Sequence, residues 1–257
     1  MKDKIRNKGY FIDFIDHFDN EMLDSSKWLP YYLPQWSNQK DAMASYVIQN
    51  SILTLRIPRH QKPWCPEFNG NVRVSSLQTG VFSGKLGSQE GQHRFTKELV
   101  VREEQQPIKL YTPKYGYIEF KAKCNIGKNH VAAFWMIGFE DNPEKSAEIC
   151  IFELKGTNIN GENVKIGYGV HPFGDKSIND EFYEDVFNIN VNEWNVYGIE
   201  WLPDRISFYM NDEIIRTINQ SPKYEMQFML NLYDLENNNE FDASFDIDYV
   251  AGYSIRW

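Results

Sequence analysis

The chain has 257 residues, 42% hydrophobic and 25% charged, a usage that excludes a disordered, collagen-like or low-complexity polypeptide. Its formal charge of −9 argues against a binder of phosphate backbones, which needs a basic surface, and disfavours a highly anionic substrate. Aromatic residues make up 15% of the chain, which fits either a strand-built core or a cleft lined with flat apolar faces.

The start Met1-Lys2-Asp3-Lys4 is charged, and Asp13 and Asp16 interrupt the stretch where an apolar signal core would run. As written, the chain reads as cytoplasmic, and as secreted if a leader has been trimmed. No stretch is long enough to span a bilayer, so neither a membrane nor a nucleic acid is expected as a partner. Cys65, Cys124 and Cys150 are an odd number without C-x-x-C spacing, which signals neither a disulfide framework nor a zinc knuckle.

Along the chain, period-two alternation recurs and a sustained helical stripe does not. Leu53, Leu55 and Ile57 share a face, as do Ile118, Phe120 and Ala122, with Glu119, Lys121 and Lys123 opposite. Between Ile57 and Tyr117 the pattern loosens into segments rich in Pro, Gly and Gln, whose aromatic and Arg content predicts an ordered loop over a cleft. Ile206, Phe208 and Met210 form an inward row, followed by a turn at Asn211-Asp212-Glu213 and a returning strand. Near the end, Phe245, Ile247 and Tyr249 alternate with Asp246 and Asp248, which predicts that all three rings and chains enter the core. With no linker, composition shift or repeat, residues 1–257 read as one all-β domain of two packed antiparallel sheets.

The stretch Glu148-Ile149-Cys150-Ile151-Phe152-Glu153 carries the candidate chemistry. In a regular strand Glu148 and Cys150 share a face and Glu153 points oppositely. One β-bulge at Ile151-Phe152 returns Glu153 to the face of Glu148. The two residues are then four strand steps apart, roughly 13 Å at the backbone. Side chains leaning together would bring the carboxyls to about 5 Å, the separation of a retaining glycosidase pair. Two Glu residues five apart are also commonplace on a solvated strand, and the spacing alone assigns no role.

Further segments carry a resemblance. They are Phe14 to Asp19, Leu23-Asp24-Ser25-Ser26-Lys27-Trp28, Tyr115 to Lys123, Ala133-Phe134-Trp135-Met136, Glu148 to Glu153, Gly169-Val170-His171, Tyr197 to Ile206, Leu230-Asn231-Leu232 and Asp248-Tyr249-Val250. In this order they resemble glycoside hydrolase family 16, the laminarinase-like group, over nearly the whole chain. The resemblance implies a concanavalin A-like jelly-roll sandwich with a concave carbohydrate-binding cleft. It implies a retaining endo-β-glycosidase acting as a monomer on a β-1,3- or β-1,3-1,4-glucan, polysaccharide or oligosaccharide. The alternatives are a galactan hydrolase, acting on agarose or carrageenan, and a non-catalytic carbohydrate binder on the same scaffold.

By the same resemblance Glu148 matches the nucleophile and Glu153 the acid/base, while Cys150 stands where the family normally places Asp. Cys150 then reads as an inert filler, a retuned partner of the carboxylates, or a mark of lost activity. Trp135, Trp36 and Tyr32 are candidate stacking platforms, and His171 and Asn231 candidate sugar contacts. Gln92, His93 and Arg94 are candidate loop ligands without family support. No cofactor is required for catalysis; a structural calcium on the convex side would use backbone carbonyls and Asp248, one carboxylate of the six or more oxygens it needs.

Overall fold

The structure, a computed structural model, describes residues 9–236 and 241–255; Met1 to Lys4 lie outside them. Within the described residues the first strands are β1 (Tyr10–Asp16), β2 (Ser45–Gln49), β3 (Ile52–Arg56), β4 (Arg73–Gln78), β5 (Gly80–Val81) and β6 (Ile108–Lys109). The middle of the chain forms β7 (Gly116–Asn125), β8 (His130–Gly138), β9 (Glu148–Lys155), β10 (Ile159–Asn160), β11 (Asn163–His171) and β12 (Glu181–Asn188). The last are β13 (Asn195–Trp201), β14 (Ile206–Met210), β15 (Glu213–Ile218), β16 (Met226–Asp234) and β17 (Ser244–Ile255).

These strands make two antiparallel sheets, the jelly-roll sandwich expected. One runs β15-β14-β13-β7-β17-β3-β2, with β1 also paired to β17. The other runs β10-β11-β9-β8-β16-β4, with β12 on β11, and carries the cleft. Alternate residues of both sheets meet in one core, where Phe120 packs against Phe134 at 4.7 Å and stacks on Tyr197 at 5.4 Å between ring centroids. Each such buried Phe stabilises the fold by about 1.5–3 kcal/mol.

Tyr249 corrects the predicted core. Ile247 pairs with Ala122 and Tyr249 with the next residue back, Lys121, so Asp248 is an extra residue in β17. The bulge shifts the alternation by one, turning Tyr249 to the outer face and bringing Val250 into the core in its place. There the Tyr249 hydroxyl donates to Glu119 Oε1 at 3.0 Å.

The loosened stretch after β3 contains a strand that alternation did not reveal. All six residues of β4 are buried, yet only Val74 and Leu77 are aliphatic. Two of its polar side chains are held from a distance: Arg73 Nε donates to Asp234 Oδ2 on β16 at 3.1 Å and Arg73 Nη1 to the Pro58 carbonyl at 3.2 Å, and Ser75 Oγ accepts from the Ser45 amide at 3.0 Å. Much of the remaining loop lies on the concave face. Trp64, Cys65, Leu99 and Val101 form a second apolar cluster with Ala133, Trp135, Ile137 and Cys150 of the sheet.

Candidate active site

The site is made by one extra residue. In the β8–β9 ladder Phe134 pairs with Phe152 and Trp135 with Cys150, so Ile151 has no partner. Ile149, Ile151, Phe152 and Leu154 all enter the sandwich core, leaving Glu148, Cys150 and Glu153 together on the cleft face. Two glycines of β11 let β12 pack close beside it. Gly169 has φ of +147°, and a Cβ there would lie 2.2 Å from the Glu181 carbonyl oxygen. A Cβ on Gly167 would meet the Phe182 ring at 2.6 Å.

Glu148, Cys150 and Glu153 line a hollow of about 320 Å³ whose walls include Tyr32, His93, Trp135 and Tyr233. Glu148 is half-buried, and the surrounding protein, with the charges of Glu153 and Asp180, pushes its carboxyl up to about 8. Glu153 is half-buried and ion-paired with Lys155, 3.2 Å from its Nζ. Burial, with Glu148 and Glu153 adding, pushes the Cys150 thiol well above its ordinary value, so it is neutral and not poised as a nucleophile. Burial, then His171, brings the His93 imidazole down to about 4, so it too is neutral near pH 7.

The raised Glu148 carboxyl has a consequence for stability. A carboxyl that holds its proton more tightly when folded favours the folded state at low pH and loses that contribution as pH rises from 4.5 through about 8. Glu148→Gln is therefore expected to raise Tm relative to the parent increasingly across that window and to a plateau above it. Thermal denaturation between pH 4 and 9 checks this, and a constant difference would refute it.

The other predicted residues separate into those at the hollow and those behind it. Trp135 and Tyr32 are wall residues, and the Tyr233 hydroxyl donates to that of Tyr32 at 3.3 Å. His171 pairs across the sheet with Glu148, stacks on Phe182 at 4.8 Å, and has Nδ1 2.9 Å from Asp180 Oδ1. Asn231 is fully buried and accepts from Trp135 Nε1 at 2.6 Å; it is a support for that ring and no lining residue of the hollow.

Trp36 is no platform for a sugar: it is fully buried, its Nε1 donating to the Gln92 carbonyl at 2.8 Å. Its polar sequence neighbours suggested a surface position, but the loop around Gly91 and Gln92 covers it. Gln92 is likewise buried, its Oε1 accepting from the Phe82 amide at 2.6 Å. Arg94 bonds the Lys97 carbonyl and lines a separate hollow of about 670 Å³, which shares His93 with the carboxylate site and includes Phe173 and Glu140.

Asp248 does not fit a calcium site. Its carboxylate is 2.7 Å from Lys121 Nζ, which supplies the countercharge, and no group of three or more His, Cys, Asp and Glu suited to a metal occurs among the described residues. Site residues that the sequence reading missed include Tyr233, two residues beyond Asn231, and Lys155, two beyond Glu153; strand periodicity marks both.

Comparison with known proteins gives the arrangement a family. Residues 110–251 match the family described as Glycosyl hydrolases family 16. The chain belongs to glycosyl hydrolase family 16. Its two-sheet architecture is shared by solved relatives. It is similar to the GlcNAcα1-4Gal-releasing endo-β-galactosidase from Clostridium perfringens, with 30% identity and a TM-score of 0.84 over 97% of this chain and 64% of that one. It also resembles, in fold, a laminarinase from Flavobacterium sp. UMI-01, with 17% identity and a TM-score of 0.65 over 95% of this chain and 100% of that one. Among curated proteins, glucan endo-1,3-beta-glucosidase A1 of Niallia circulans is 21% identical over 226 residues, 81% of this chain and 29% of that protein. The family 16 chain thus spans under a third of that curated relative's length.

Proposed function

We propose that this family 16 chain is a retaining endo-glycosidase that cleaves β-galactosidic bonds in a neutral glycan. The observation that carries the retaining chemistry is the bulge at Ile151, which sets two carboxyls on one cleft face with the neutral Cys150 between them. Glu148 attacks the anomeric carbon while Glu153 protonates the departing oxygen; Glu153 then takes the proton of the water that releases the sugar from Glu148. The first step needs one proton on the pair, held by Glu153. Burial favours a proton on Glu148 in the empty cleft, and that carboxyl must give it up before it attacks.

The choice of galactoside is supported by the Clostridium perfringens endo-β-galactosidase, whose identity and TM-score exceed those of the laminarinase. The second reading, a β-1,3-glucan, is favoured by the Niallia circulans sequence match. The acidic balance of −9 supports a neutral chain over a sulfated one in either case. The deciding experiment offers a glycan ending in GlcNAcα1-4Galβ, laminarin, mixed-linkage glucan, agarose and carrageenan. New reducing ends identify the substrate, and proton NMR of the first product identifies its anomer. Release from the galactoside alone, with retained configuration, is the expected result; inversion would refute the mechanism.

Cys150 separates the enzyme from a binder. Because its thiol is neutral and packed in the second apolar cluster, Cys150→Ser is expected to keep turnover within about tenfold of the parent. A parent that binds glycan without cleaving it, and gains turnover in Cys150→Asp, would establish the binding reading instead.

A further inference from the structure

Lys155 stands on the same strand face as Glu153, two residues on, and its ammonium is divided between two carboxylates. Nζ is 3.2 Å from Glu153 Oε1 and 3.0 Å from Glu184 Oε1 on β12. Asn158 Nδ2 donates to that same Glu184 oxygen at 3.2 Å, holding it in place. Burial works against the ammonium, but Glu184 and Glu153 outweigh it and keep Lys155 above the ordinary lysine value.

Charged and titratable groups face Glu153 from several elements, and the loops bring Tyr32 and His93 to the same hollow. The strand of Glu153 itself supplies Glu148, Cys150 and Lys155. β12 supplies Glu184, which in turn feels Lys165 of β11. β16 supplies Tyr233, whose hydroxyl senses both site carboxylates, and Asp180, just before β12, acts on Glu148. The β8 residues opposite, Val131, Ala133 and Trp135, carry no charge. Among the described residues, Lys155 is the one cation in ion-pair contact with Glu153.

We propose that Lys155 is a positioning residue whose division between Glu153 and Glu184 sets the alkaline limit of hydrolysis. This rests on Glu153 being the acid/base. An ionised Glu153 cannot protonate the leaving oxygen, and a neighbouring ammonium favours ionisation. Glu184 restrains that effect by drawing Lys155 toward itself. The two partners therefore act in opposite directions. Removing Lys155 lets the acid survive to higher pH, whereas removing the Glu184 charge leaves Lys155 wholly to Glu153 and ends activity at lower pH. Both members of the Lys155–Glu153 pair are partly open to water, with 42% and 28% side-chain exposure, so each displacement is about 0.5–1 pH unit.

The test compares kcat/KM against pH for the parent, Lys155→Met, Lys155→Arg and Glu184→Gln, on whichever glycan of the panel the parent cleaves. The alkaline limb is expected to move up in Lys155→Met, to move down in Glu184→Gln and to stay near the parent in Lys155→Arg. A limb that is unmoved in Lys155→Met, or that moves the same way in the Met and Gln variants, overturns the proposal. Carbon-13 titration of the Glu153 carboxyl in the same four proteins needs no turnover, and its midpoint must move in the same opposed directions. If the parent cleaves nothing, the functional reading fails, while the carboxyl titration still decides the role of Lys155.

Discussion

Glu148→Gln is expected to reduce hydrolysis by about 10⁴-fold or more, since an amide cannot form the glycosyl ester on which double displacement depends. Glu153→Gln is expected to cost about 10²–10⁴-fold on a natural glycan, the usual worth of a positioned general acid. On a nitrophenyl glycoside the second loss shrinks in the first step, because that leaving group departs without protonation. Reducing-end assays on folded variants check both, with circular dichroism as the control for folding. Retained cleavage in either variant on the natural glycan would refute the assignment. The contrast between the two substrates also tests which Glu is which. The variant partly rescued by the better leaving group is the acid, the part that the family resemblance gives to Glu153.

The second large effect is on stability. Arg73 and Asp234 join β4 to β16 at the edge of the cleft sheet, and neither side chain is more than 2% exposed. Asp234→Ala removes the buried carboxylate paired with the guanidinium, a loss of about 3–5 kcal/mol. In a chain of this size that lowers Tm by about 6–20 °C. Urea denaturation measures the loss directly, and a change below about 1 kcal/mol would show that solvent or the Pro58 and Arg59 carbonyls take over the charge. The double change Arg73→Met with Asp234→Leu, which removes both charges, is expected to recover much of the stability.

The same pair explains why β4 was hard to read in the sequence. A strand is legible when its buried face is apolar, and β4 buries Arg73, Ser75, Ser76 and Gln78. Arg73 and Ser75 are tolerated inside because the distant residues Asp234 and Ser45 complete their hydrogen bonds. No local pattern encodes such a partner. Trp36 and Asn231 mislead for a related reason. Polar neighbours in sequence or a position on the cleft sheet do not reveal that Gln92 caps one and Trp135 occupies the other.

The chain's aromatic residues divide between two apolar layers and a cleft wall. The sandwich core takes Phe120, Phe134, Phe152 and Phe208, the layer under the loop takes Trp36 and Trp64, and the wall keeps Tyr32, Trp135 and Tyr233. By itself the sequence determined the strands that alternate, the order of motifs that marks the family, and the two carboxyls five residues apart. Only the tertiary structure decided which face several of those residues occupy. Side chains alternate with period two, so one extra residue reverses everything after it. At Ile151 that reversal brings Glu153 to Glu148, and at Asp248 it takes Tyr249 out of the core. Whether a bulge forms depends on the neighbouring strands and the packing beneath, which are distant in sequence.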